Sequence, residues 1–291
     1  MNGARDSTYG RLAAIAALAS RETLRSRTML IAVLLNVLYL LILVLVGYAV
    51  WSAGLDRFAS GIGHEQREAL VRVILLFGVA GASTLALFTG VFASVGAIGG
   101  EIERGTILAL VARPVARWEI LVGKFLGNAG LAAAYLVGQG VVIGLVVAAL
   151  SGVWVFDLLV TLALLALDVF VMVAVALAGS TRLAPVANAV AVVVLWLGLT
   201  NTTLLYVLGQ LVGSELLQSA ADWSRLALPV GVVSDLAGEI LIGERAAAVL
   251  GAAAGGRSVL PTHDWIWVYA IGYLLAILAL GAWSLAHRDL R

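Results

Sequence analysis

The chain has 291 residues, 62% of them hydrophobic and only 12% charged, with a mean hydropathy of +1.06. Soluble domains carry about a quarter charged residues, so this composition cannot solvate a whole surface and reads as a multi-span membrane protein. The absence of cysteine excludes disulfides, thiolate metal sites and cysteine nucleophiles, and a net charge of +1 gives no reason to expect nucleic acid.

Residues 1–28 include RLAAIAALASRETLRSR, too short and too polar to cross a bilayer. At about 3.6 residues per turn, Arg11, Arg21, Glu22 and Arg25 share one sector. Leu12, Ile15, Ala16, Ala19 and Thr23 share the opposite one, with Leu18 as the exception. The pattern predicts an amphipathic helix in the inner membrane interface, its arginines toward anionic headgroups. A plain positive anchor for the first span is the simpler alternative.

A spanning helix needs about 20 apolar residues. Six stretches qualify, at 29–50, 73–99, 125–150, 158–178, 185–209 and 265–286. The first starts too far in and runs too long for a cleavable signal peptide. The expectation is an all-α membrane protein, with residues 1–291 forming a single transmembrane domain. Residues 210–264 make a long connection containing two interrupted apolar stretches divided at Pro229, which predict two short helices at the outer face, dipping partly toward the membrane.

Orientation follows from the basic residues. If both termini lie on one side, twelve of the 18 fall there, and only Arg57, Arg67, Arg72, Arg225, Arg245 and Arg257 fall on the other. Both termini are therefore expected in the cytoplasm of a bacterial or archaeal cell. Trp51, Trp154, Trp265 and Trp267 sit where outer-interface anchors belong.

The connection 100–124 concentrates charge between two apolar runs, reading EIERGTILALVARPVARWEILVGKF from residue 101. Glu101, Glu103 and Arg104 mark the exit of the second span. Gly105 breaks that helix, Thr106 is a candidate N-cap for a short segment, and Pro114 forces a turn. Arg117 and Glu119 then open a helix that runs into the third span. The result is a short surface helix joined covalently to two spans, placed to convert a push into tilt of both.

This segment, E-x-E-R-G-T, an apolar run, R-P-V-A-R-x-E-I-L-V-G-K, resembles the cytoplasmic segment of type-2 ABC-transporter permeases, with Ala116 where a serine is frequent. The order of elements resembles that family over nearly the whole chain. The resemblance implies the transmembrane subunit of an ABC exporter, pairing with a second permease copy. Two copies of a separate ATPase subunit would carry ATP and magnesium and dock on a coupling helix around Glu101, Glu103, Arg104, Gly105, Thr106, Arg113, Pro114, Arg117 and Glu119. In the family the second and fifth spans line the path, which here holds Phe88, Phe92, Asn201, Thr202 and Thr203. That mixture suits an amphipathic or apolar cargo, although hydrogen bonding between helices explains the polar residues equally well.

The chain lacks the P-loop pattern G-x-x-x-x-G-K-[ST], so no ATPase site of its own is expected. Asp168, in the middle of the fourth span, is the anomaly. It can relay protons or bind a cation, or it can be a structural carboxyl protonated or hydrogen-bonded to Gln139. An ion-coupled secondary transporter built on Asp168 is the alternative function, though no inverted repeat is evident. Gly140 and Gly144 read as a close-packing motif. His64, His263 and His287 lie outside the spans, which leaves no histidine for an intramembrane enzyme.

Overall fold

The computed structural model describes residues 8–50, 52, 64–103, 116–200, 208–243 and 265–288. Long apolar runs with few prolines satisfy their backbone groups internally by becoming helices, and every regular element among the described residues is helical. In chain order these are α1 (Thr8–Arg25), α2 (Arg27–Val50), α3 (His64–Ser94), α4 (Gly99–Glu103), α5 (Arg117–Ser151), α6 (Leu158–Ser180), α7 (Pro185–Thr200), α8 (Glu215–Ala227), α9 (Val230–Ile242) and α10 (Ile266–Ala286).

Five helical segments are long and apolar enough to cross a membrane: Met29–Ala49, Arg67–Glu103, Arg117–Ser151, Leu158–Ser180 and Ile266–Ala286. They coincide with five of the predicted stretches. The sixth, 185–209, is described as α7 and a helical piece at 208–212, with 201–207 outside the described residues.

The second segment is not one smooth helix. The chain turns at 95–98 between α3 and α4, among Gly96, Gly99 and Gly100. Glycine weakens a helix, and a buried side chain fixes the break. Asn188 of α7 donates its amide to Val95 O at 3.0 Å and to Ala176 O at 2.8 Å, tying the turn to α6 and α7.

The core is organised around α6, which packs against α3, α5, α7, α9 and α10. Of its most apolar window 61% is buried, against 11% for α2, which leans mainly on α3 at the rim. The short helices α8 and α9 flank Pro229, as the sequence pattern predicts. The second of them runs down α6, burying Val233 and Leu241 completely, and Thr161 donates to Ala237 O at 3.2 Å.

The predicted apolar face of α1 packs on α5. Gly123 and Gly127 allow that approach: a Cβ at Gly127 would stand 2.6 Å from Ala16 O, and one at Gly123 2.6 Å from Ile15 Cγ2. Leu18, the exception to the pattern, is exposed. Arg11, expected to face headgroups, instead turns into the protein.

At the end of the bundle away from α1, Arg72 of α3 reaches Asp157 at 2.7 Å, Glu68 at 2.9 Å and Leu241 O at 2.9 Å. Arg67 donates to Ser151 O at 2.9 Å, just before Gly152 ends α5 in a left-handed turn at φ 73°.

Gly127→Ala should force α1 away from α5, because the obstacle is backbone. The expected cost is about 1–3 kcal/mol, read as a lower unfolding midpoint in detergent and faster tryptic cleavage after Arg21 and Arg25. Gly130→Ala, where an added Cβ meets nothing within 4 Å, should leave both readings unchanged.

Candidate functional site

The entrance of α5 is where the predicted coupling residues meet the bundle. Ala116 is extended, and Glu119 accepts its backbone amide at 3.1 Å. The same carboxylate, only 2% exposed, receives Arg11 of α1 at 2.7 Å from Nη2 and at 3.2 Å from Nε. A carboxylate this deep must be paired to stay charged, and α1 supplies the guanidinium. The α1 arginine is thus a tether.

One turn further on, Lys124 donates to Glu101 of α4 at 2.7 Å, both side chains largely buried. Asn128 follows, donating to Ala93 O and Ser94 Oγ at 3.2 Å each and accepting from Thr23 at 3.0 Å. Arg117 reaches the other way, donating to the carbonyls of Leu285, Ala286 and Arg288 at 2.9–3.0 Å. Those are carbonyls at or next to the end of α10, which lack partners within their own helix. Arg182 adds Ser284 Oγ at 2.8 Å, and Arg288 donates to Thr181 O. Between 117 and 128, then, α5 is fastened in turn to α10, α1, α4 and α3.

This arrangement changes the reading of several predicted residues. Glu101, Arg117 and Glu119 were expected to meet a partner protein, but each makes polar contacts within the chain. Glu119 in particular is only 2% exposed. Glu103 is exposed at the end of α4. Arg104, Gly105, Thr106, Arg113 and Pro114 lie outside the described residues. The Glu101–Lys124 pair closes the base of the segment that contains them. Sequence reasoning left Arg11, Lys124 and Asn128 out of the site. The one available signal was an isolated lysine and a buried-spaced acid at the start of a spanning helix.

On the predicted path, Phe88 stacks on Phe92 with centroids 6.0 Å apart and meets Trp196 of α7 edge-on at 5.1 Å. The second and fifth predicted spans therefore share an aromatic contact, and Phe92 remains 46% exposed. Thr84 and Thr89 bond carbonyls of their own helix, Ala80 O at 3.0 Å and Leu85 O at 2.8 Å. Their hydroxyls are used within α3 and not between helices. Asn201, Thr202 and Thr203 lie outside the described residues.

Asp168 is 3% exposed, and its partner is Ser234 of α9, with Oγ 2.5 Å from Oδ2. Gln139 does not reach it: the Gln139 amide donates to Asn36 Oδ1 of α2. The buried acid thus pins the short helix α9 against α6. Gly140 and Gly144 do serve close packing, since a Cβ at either would fall within 2.5 Å of Leu162 or Leu158 on α6. Among the described residues no group of three or more His, Asp or Glu is placed to hold a metal.

Asp168→Asn keeps an acceptor for the Ser234 hydroxyl and should unfold close to the wild-type midpoint. Ser234→Ala strips the buried carboxyl of that partner and should cost about 1–3 kcal/mol. Thermal unfolding of the two variants side by side checks the order.

The family model described as ABC-2 family transporter protein matches residues 13–290, and the chain belongs to that family. The match takes in α1 from Ala13 onward, the fastened entrance of α5 and the end of α10. A search of curated proteins found no match.

Proposed function

We propose that this multi-pass membrane protein, an ABC-2 family permease, exports an amphipathic or hydrophobic substrate, with ATP and magnesium bound by two copies of a separate ATPase subunit. Two permease copies pair, each spanning the membrane six times with both termini in the cytoplasm of a prokaryotic cell. The ATPase docks on the segment 100–124.

The observation that carries this reading is the fastening of α5. A push delivered between residues 104 and 115 enters α4 on one side and Ala116 on the other. From there the Glu101–Lys124 and Arg11–Glu119 pairs and the Arg117 contacts pass it to α4, α1 and α10. Charge-assisted hydrogen bonds at 2.7 Å are the short, strong kind, suited to moving these elements as one body. The aromatic contact between α3 and α7 supports an apolar or amphipathic cargo. The sequence supports the division of labour, since the chain has no P-loop.

Purified from its native membrane, the chain should bring an ATPase with it at a one-to-one ratio. Glu103→Ala and Arg113→Ala should each lower substrate-stimulated ATP hydrolysis by the complex without reducing membrane insertion. Full stimulation in both variants would remove residues 101–124 as the docking site.

A further inference from the structure

The seam between α2 and α3 is not closed by side chains. Beside its α1 end, between α1, the turn after α3 and the start of α5, lies a partly polar chamber of about 190 Å³, whose polar lining is Glu22, Thr23, Ser26, Glu101, Lys124 and Asn128. The chamber adjoins an apolar cleft of about 350 Å³, walled by Met29, Ala32 and Leu35 of α2 and by Leu85, Phe88 and Phe92 of α3. Thr23, Ser26, Phe92 and Ala93 line both, so the two cavities adjoin.

Its ceiling is a polar waist. Asn36 accepts from Gln139, and Tyr39 donates to Gly78 O at 2.7 Å. Beyond the waist the same seam widens again into a second apolar cleft of about 380 Å³, lined by Tyr39, Val46, Ile74 and Phe77 among others.

We propose that the chamber and the adjoining cleft form one lateral entry site for an acyl-chain amphiphile whose polar head carries no net charge, taken sideways from the leaflet at the α1 end. Three features select this occupant. The polar lining sits at the Ser26 break between α1 and α2, and the apolar lining runs from there along α2, which is the division of an amphiphile lying parallel to the helices. The charges are balanced, with Glu22 and Glu101 set against Lys124 and the Arg27 at the cleft mouth. A net anionic or cationic head would leave one sign uncompensated. A small soluble solute would fill the chamber alone and leave the apolar cleft without a partner. Access needs little rearrangement, because α2 is the least buried of the spanning helices.

This assignment rests on the permease reading for its biological sense and names the cargo class. Its test does not involve the ATPase, so the two fail separately. The full chain is placed in nanodiscs containing a phosphatidylethanolamine with a photoactivatable acyl chain, and the adducts are mapped. Labelling at Leu85 and Phe88 should exceed that at the exposed Leu275 and Leu280 by about tenfold. Ala32→Trp, which fills the cleft, should abolish the excess while leaving Leu280 unchanged. Ala93→Leu gives the same readout should Ala32→Trp not insert. Equal labelling of α3 and α10, or an excess that survives the filled cleft, marks ordinary surrounding lipid and overturns the site. An anionic phosphatidylglycerol probe that labels α3 as strongly overturns the assigned head chemistry.

Discussion

An ionised group in an apolar bundle has to find its counter-charge inside the same bundle, and that requirement fixes both ends of this protein. At one end the Arg11–Glu119 pair joins helices 108 residues apart in sequence and the Lys124–Glu101 pair joins two consecutive ones. At the other, Arg72 gathers Asp157, Glu68 and the last turn of α9. Such pairs add little stability over apolar replacements, but breaking one partner away costs about 3–5 kcal/mol when the remaining charge is fully buried. Arg11 is partly exposed, which places its pair below that range. Their main effect is on geometry, since each pair allows only one way for its two helices to meet.

Between those ends the bundle is graded. The central helix α6 is buried by five neighbours, while α2 rests on a rim with space on both sides of a polar waist. Gln139 marks how lightly that waist is held. Its amide nitrogen bonds Asn36, but its carbonyl oxygen has no hydrogen-bond partner among the described residues, and such an orphan detracts from the contact it sits in. Ion pairs are concentrated at the two ends of the bundle, and open space along α2 between them.

Five of the six expected spans were legible because hydropathy is local: each helix announces itself over about 20 residues whatever it packs against. The restart at Arg117 and the two short helices around Pro229 were legible for the same reason, through turn and cap chemistry. The pairings were not. Glu119 sits in a charged stretch and reads as a surface residue until α1 is seen lying across it. Gln139 is a natural partner for Asp168 by adjacency of spans, yet the angular position of each on its helix sends Gln139 to α2 and Asp168 to α9. The break at 95–98 carried a glycine signal, but what fixes it is an asparagine on α7 that no local pattern connects to it.

The tether from Arg11 also bears on how the protein is made. Arg11 is synthesised first, and its carboxylate arrives 108 residues later. Until then α1 has no docking site, and an α5 threaded in the opposite direction would leave Glu119 on the wrong side of the bilayer with no arginine to meet. Completion of this single pair therefore requires that the chain has crossed twice, through α2 and α3, and returned to the side on which α1 lies.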